Sequence, residues 1–501
     1  MSFEPNFEKI NYNGKINEQF QQIKVECKTD ISSENVKKII GISSKADITR
    51  KDKQENKIIF GGKTSFYVCY ENIDGELCKF ECGNEFAHDV VIDNLQDCSV
   101  SFIASTDKVE ADVSGIKVVI ICYVNVGIKI YPKCQINALC GGDNLIVDNL
   151  EVPISIGLGV HEGVYPVEEE FEFNYVIKEV LSHRANAVIT SVQCGVGCII
   201  IDGEVFLSAM LLQSDEKNSI IKENKTLPFR MELECDEAMP TLTATAYVKV
   251  KSFKTDIAVD QDKSISTVTA SVILQFEGEA ISTNSNNVSL DAFSLTDNLS
   301  LKCEQVETCT SGEVRSLTLL TTTRASTEQL EPTANLVGVF NDKAEIVSVK
   351  NCEEGCTVTG TLTLTALFID QAGEYFSRFL EAPFEHTLDC GNNFDFCKVI
   401  PTSEKTTARI VSLSEIELES QLIFTIYPFK NQKVCFINEV NCDGDKPIND
   451  SAISVYIPIK GEGLWQLSKR LNVCPETLLQ TNKDLEFPLS GKERIVIYRQ
   501  K

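Results

Sequence analysis

Apolar and polar residues alternate with a period of two through long stretches of this chain. After Gly360, Leu362, Leu364, Ala366 and Phe368 share one side, and Thr361, Thr363, Thr365 and Leu367 share the other. Such a pattern gives a strand one apolar face and cannot lay a continuous stripe along a helix. Longer runs of the same kind pass through Val118, Ile120, Cys122, Val124 and Val126, and through Val268, Ala270, Val272, Leu274 and Phe276. A third takes in Ile416, Leu418, Ser420, Leu422, Phe424 and Ile426. Asn72-Ile73-Asp74-Gly75 and Asp370-Gln371-Ala372-Gly373 read as hairpin turns.

Three glycines, Gly62, Gly203 and Gly360, bring these runs into register. Sixteen residues before each stands an alanine (Ala46, Ala187, Ala344), and fourteen before each an isoleucine (Ile48, Ile189, Ile346). Eight residues after each is a bulky apolar side chain, Tyr70, Leu211 or Phe368. Phe86 and Phe384 follow their glycines by twenty-four, while Pro228-Phe229 comes two residues late. Self-similarity at this many offsets predicts a repeated unit. Each copy is expected to be a small antiparallel β-domain with one buried face per sheet, a sandwich. The expected division is 1–135, 136–290 and 291–430 for the three copies, a linker at 431–450 and a tail at 451–501. The joins are expected near Tyr131 to Asn144, near Thr283 to Asn298 with 282–289 as a polar loop, and between Asn431 and Asp450 around the turn-rich Cys442-Asp443-Gly444-Asp445-Lys446-Pro447. The aspartates there do not continue at the spacing of a calcium loop.

The period changes in the tail. Val455, Ile457 and Ile459 alternate as a strand, and Gly461-Glu462-Gly463 turns the chain. Leu464, Leu467, Ser468 and Leu471 then recur at helical spacing. Pro475 opens a second short helix carrying Leu478 and Leu479, and Ile495 and Ile497 close on a strand. This strand-helix-helix-strand order resembles the LysM module. Gly461, Leu464, Trp465, Leu467, Asn482 and Gly491 all fall where that module places its glycines, first helix, asparagine and closing turn. The resemblance implies a small α+β fold whose binding surface includes Gly461, Glu462, Gly463, Leu464, Trp465 and Asn482. Glycan-binding members carry Gly-Asp-Thr or Gly-Asp-Ser before the first helix. Here Glu462-Gly463 removes the hydroxyl that caps the helix and lines the sugar groove.

Three β-repeats followed by such a tail are similar to the SPOCS-domain spore coat assembly proteins of endospore-forming Firmicutes. The resemblance implies a mother-cell cytoplasmic protein recruited to the forespore surface. Its implied partner is the coat basement-layer ATPase, of the stage IV sporulation protein A type, with the LysM-like tail as docking surface. The repeats would act as spacers and interaction faces in series, each weak contact adding through effective concentration. The other reading is a peptidoglycan or cortex glycan-binding protein using Trp465 and Asn482 in a sugar groove.

Composition narrows the function classes. The 501 residues are 43% hydrophobic and 24% charged, with a net charge of −26. That balance fits folded domains and opposes nucleic-acid binding, which needs a basic surface to replace phosphate counterions. The charge is uneven: from Ser451 to Lys501 eight Lys/Arg face five Asp/Glu. A basic tail on an acidic body suits docking onto an acidic partner. The opening Met-Ser-Phe-Glu-Pro-Asn-Phe-Glu has no basic segment leading into an apolar core, so no signal peptide is expected. No apolar run approaches the ~20 residues of a membrane span. The sequons at Asn224 and Asn287 are then expected to stay unmodified.

Twenty cysteines without a Cys-x-x-Cys pair are expected to serve as reduced small hydrophobes, with late oxidative cross-linking or metal binding as the other uses. Cys78/Cys82, Cys194/Cys198 and Cys352/Cys356 are each separated by three residues, but the pairs lack a regular metal-ligand spacing. An enzyme is not expected, nor a cofactor. His88, His161, His183 and His386 are scattered, Gly141-Gly142-Asp143 lacks the lysine of a phosphate loop, and Glu168-Glu169-Glu170 reads as a solvated acidic face.

Overall fold

The computed structural model describes residues 4–498 apart from 15, 32–33, 93–94, 96–97, 216–217, 261, 263, 353–354, 392–393 and 448–452. Those residues form a mainly β structure of twenty-two strands and two short helices. The strand pairings are antiparallel throughout.

Three three-stranded sheets share one plan. The first joins Val36–Gln54, Lys57–Asn72 and Leu77–Val91, and the second Ile177–Cys194, Cys198–Gln213 and Ile220–Glu234. The third joins Asn335–Cys352, Gly355–Ile369 and Tyr375–Leu388. Cross-strand register accounts for the sequence offsets. Gly62 pairs with Ile48 on one side and Phe86 on the other, Gly203 with Ile189 and Phe229, and Gly360 with Ile346 and Phe384. Each sheet carries a bulge next to the isoleucine. The phenylalanine ring lies over the bare glycine Cα. A Cβ at Gly62, Gly203 or Gly360 would stand 2.4, 2.4 or 2.3 Å from that ring. It would also stand 2.3, 2.2 or 2.4 Å from the carbonyl oxygen of Asp47, Val188 or Glu345. Only hydrogen fits there.

Against each of these sheets lies another, organised on one long strand. Glu4–Asn13, Asn17–Asp30 and Cys98–Ser114 pair with Lys117–Asp143, and Ile146–Phe173 and Thr243–Asp260 flank Ile265–Phe293. Asp297–Ser311, Arg315–Ser326 and Phe396–Ser412 pair with Glu415–Asp445. The alternating residues read from the sequence line the space between facing sheets. Val118 to Val126, Val268 to Phe276 and Ile416 to Ile426 are buried at every second position, each run in a separate core. Ser420 is buried too, and its hydroxyl lies 2.9 Å from that of Thr406.

The long strands continue past their sandwiches. The far end of Lys117–Asp143 pairs with Glu4–Asn13, the start of Ile146–Phe173 with the end of Ile265–Phe293, and Asp297–Ser311 with the end of Glu415–Asp445. These three ribbons meet through Ile10, Ile136, Ile154, Val288, Val434 and Phe436. Most of the expected joins over 131–144 and 283–298, and of the expected linker over 431–445, is therefore strand; the chain leaves strand only at 144–145 and 294–296 within the first two. Asn and Ser favour strands weakly, but a partner strand supplies the ladder and every second residue finds a core. Residues 448–452, with the expected boundary at 450/451, lie outside the described residues.

The sandwiches also close on one another. Seventeen residues before the three glycines stand Lys45, Asn186 and Lys343. Lys45 Nζ donates to the carbonyl of Lys251, Asn186 Nδ2 to that of Ser403 (3.0 Å), and Lys343 Nζ to that of Thr106 (2.7 Å). The first sandwich thus reaches the second, the second the third, and the third the first. All three accepting residues sit at bulges, where the ladder is interrupted. Seven residues past the glycines, Cys69, Met210 and Leu367 meet in one apolar cluster with Ile40, Leu181 and Phe340. A head-to-tail contact that closes after three steps makes a ring. The three sandwiches are packed around one another.

A charged knot sits in this ring. Asp342 is 3% exposed and pairs with Arg184 at 3.0 Å, while Thr406 Oγ1 donates to it at 2.8 Å and Ser403 Oγ donates as well. Lys222 Nζ reaches the Thr406 carbonyl at 3.0 Å. Burial pushes the Asp342 carboxyl up. Arg184, Lys222 and the two hydroxyls outweigh that and hold it below the usual carboxylate range.

In the tail, helices α1 (Leu464–Leu471) and α2 (Pro475–Thr481) lie between paired strands Ile453–Tyr456 and Ile495–Tyr498. Leu467, Val473, Leu478, Leu489, Ile495 and Ile497 form its core. Asn472, left-handed at φ 53°, ends α1. The first strand stops at Tyr456, short of the expected Ile457 and Ile459.

Candidate docking surface on the tail

The six residues expected to bind have distinct tasks within the chain. Gly461 (φ 87°) donates its N–H to the Leu489 carbonyl at 2.8 Å. Glu462 is 7% exposed; it accepts the Ile459 N–H at 3.0 Å and pairs with Arg470, whose guanidinium lies 4.5 Å from the Tyr456 ring. Gly463 caps α1 without a side chain, and its own N–H donates to Gln466 Oε1 at 3.2 Å. Leu464 packs against the tail core. Asn482 staples the closing strand: its Nδ2 donates to the Leu478 and Val496 carbonyls, and its Oδ1 accepts the Val496 N–H at 2.8 Å.

Trp465 faces the body. Its indole N–H donates to Asp291 Oδ2 at 2.8 Å, and its ring meets that of Phe293 edge-on at 5.2 Å. Lys469 Nζ donates to the other oxygen of Asp291 at 2.6 Å, and Asn472 Nδ2 to the Leu295 carbonyl at 2.7 Å. Lys446 Nζ bridges the Ser294 carbonyl (2.6 Å) and Asn472 Oδ1 (2.8 Å). Burial pushes the Asp291 carboxyl up, but the bonds from Lys469 and Trp465 win and hold it low. Helix α1 is thereby seated on the end of the Ile265–Phe293 ribbon. The single tryptophan makes this contact directly readable. Asp291→Ala is expected to cost about 1–3 kcal/mol of seating, shifting Trp465 emission to longer wavelength and increasing its quenching by acrylamide.

The outward face of the tail carries a feature that alternation alone does not disclose. Ile453, Val455, Ile457 and Ile459 are 61–65% exposed, and Tyr498 stands directly across from Ile453 at 59%. Period-two spacing predicts one face for these residues; the strand holds only Ile453 and Val455, and Ile457 and Ile459 lie in the segment that follows it. All four side chains are exposed rather than packed into the tail core. Lys460 lies beside it in sequence, exposed, and the tail as a whole is basic.

Two of the histidines are packed among aromatic rings. His183 Nδ1 is 3.0 Å from Thr255 Oγ1, its ring lies tilted 4.6 Å from that of Phe253, and burial lowers its pKa to about 4. His386 Nε2 is 2.7 Å from Thr321 Oγ1, with its ring against Phe424. Glu168, Glu169 and Glu170 are exposed on Ile146–Phe173. A cavity of about 50 Å³ lies where the three sandwiches meet, lined by Asn13, Tyr131, Tyr247, Glu277, Glu279 and Ser311. It has room for a water or two.

Compared with protein-family models the chain matches none, and none of the curated proteins matches it significantly.

Proposed function

We propose that this chain is a non-catalytic scaffold in spore coat assembly, built from three β-repeats and a LysM-like tail that docks a protein. The partner is a coat morphogenetic ATPase of the stage IV sporulation protein A type, met at the forespore surface. The repeat reading is supported by the common glycine register and by the three equivalent donors that close the ring. The observation that carries the docking reading is the exposure of Ile453, Val455, Ile457 and Ile459. An apolar surface of this kind recognises another protein's apolar surface, and the basic tail gives the encounter its charge complement. The sugar reading is disfavoured because Trp465 and Asn482 spend their hydrogen bonds inside the chain.

The full-length chain with Val455→Asp and Ile457→Asp tests this. Both side chains are exposed, so the melting temperature is expected to stay put. Affinity for the purified ATPase should drop at least tenfold, about 1.4 kcal/mol. Undiminished binding by this variant sinks the docking surface. Retention of the wild-type chain on purified peptidoglycan, with no affinity for the ATPase, would replace the scaffold reading by the glycan one.

A further inference from the structure

Three of the twenty cysteines come together in a way their spacing does not announce. Cys356 lies near the start of Gly355–Ile369, Cys390 two residues past Tyr375–Leu388, and Cys397 at the second position of Phe396–Ser412. All three are buried, and their sulfurs lie within 4.8 Å of one another. Cys356 lies in one sheet of the third sandwich, Cys390 just past the last strand of that sheet, and Cys397 opens a strand of the facing sheet.

The backbone is shaped to hold them there. Gly355 has φ 136°, and a Cβ on it would stand 2.1 Å from the Leu388 carbonyl oxygen and 3.1 Å from the Cys390 nitrogen. The glycine is what lets the segment bearing Cys390 lie against the hairpin bearing Cys356. On the other side, Asp395 fixes the approach to Cys397. Its N–H donates to the Phe429 carbonyl at 2.9 Å, and its carboxylate accepts the Asn431 N–H at 2.7 Å. Cys352 stands at the tip of the same hairpin, exposed, paired with Gly355.

We propose that Cys356, Cys390 and Cys397 form a thiolate site for a zinc ion that staples the two sheets of the third sandwich together. Zinc–sulfur bonds of ~2.3 Å in tetrahedral geometry place sulfurs about 3.8 Å apart, so each thiol needs to move inward by only about half an ångström. Burial, with Cys390 beside it, pushes the Cys397 thiol up to about 12. On binding, each thiol gives its proton to solvent and its sulfur lone pair to the metal: one zinc ion enters and three protons leave. Three thiolates around Zn²⁺ leave one negative charge with water in the fourth position; with Cys352 there instead, a fourth proton leaves and the site carries two negative charges. Sequence spacing missed the site because Cys352/Cys356 holds only one of the three inner ligands; the others arrive over thirty residues later.

The full-length chain, reduced and stripped of metal, should bind Co²⁺, a spectroscopic stand-in for zinc, with a thiolate-to-metal charge-transfer band in the near ultraviolet. Zn²⁺ should displace it and raise the melting temperature. Cys397→Ser should lower the stoichiometry by one equivalent, whereas replacing the exposed pair Cys303 and Cys435 by serine should leave the site intact. If Cys397→Ser does not fold, zinc X-ray absorption on the wild-type chain decides: three or four sulfurs at ~2.3 Å support the site. A nitrogen and oxygen shell, no charge-transfer band, or a stoichiometry unchanged in Cys397→Ser overturns it.

Discussion

Asp342→Ala is expected to destabilise the chain by about 3–5 kcal/mol, read as a lowered midpoint in chemical denaturation. The reason is what the substitution leaves behind. Arg184 is largely buried against this carboxylate, and Lys222 lies close by, bonded only to the Thr406 carbonyl. Without Asp342 two buried cations face each other, and the Ser403 and Thr406 hydroxyls lose an acceptor. Asp342→Asn keeps an acceptor for the hydroxyls and loses the charge, so it should fall between the alanine variant and wild type. The pH dependence has a definite sign. A carboxyl held below its unfolded pKa contributes stability that is fully present above about pH 4 and is lost as pH falls through its folded pKa. The wild-type chain should therefore lose stability more steeply on acidification than Asp342→Asn, measured as the difference between their midpoints at successive pH values.

Gly360→Ala is expected to cost about 3 kcal/mol, at the upper end for an added methyl. In an ordinary strand position alanine would help, because glycine is disfavoured there. At Gly360 the new methyl meets the Phe384 ring at 2.3 Å and the Glu345 carbonyl oxygen at 2.4 Å. The ring can swing only into a core already filled by Phe424, and the oxygen belongs to a bulged backbone that cannot retreat. Gly127→Ala is the control. Its nearest neighbour would be the exposed Phe20 ring at 3.4 Å, so the change should stay within about 0.5 kcal/mol. Thermal melts of the two variants side by side separate a clash at the shared glycine position from a general intolerance of alanine in these sheets.

The contrast between these glycines shows what the sequence could and could not convey. Gly62, Gly203 and Gly360 stood out because their partners, an isoleucine fourteen before and a phenylalanine some twenty-four after, sit one strand away on either side. Cross-strand pairing within a hairpin keeps a fixed sequence distance, so it leaves a countable trace. The closing of the ring leaves none. Lys45, Asn186 and Lys343 donate to backbone carbonyls, and a carbonyl has no residue type to recognise. The ribbons were misread for a different reason: 282–289 has turn-like composition, and only the partner strand, over 120 residues away, makes it a ladder. In the tail, alternation located a strand and grouped Val455 with Ile457 but carried no information on which face meets the core. Trp465 was expected on a binding surface; in the structure its indole N–H is taken by Asp291 of the same chain, which no spacing announced.

The ring has a consequence for how the chain is made. The bond that joins the third sandwich to the first, from Lys343 to Thr106, spans 237 residues. At typical rates of synthesis that distance takes on the order of ten seconds to a minute. For that interval the nascent first sandwich carries an uncovered apolar flank, Ile40, Cys69 and Leu77, whose permanent cover includes Phe340 and Leu367. The ribosome therefore holds a partly finished ring with two open ends until the third unit emerges and shuts the circle.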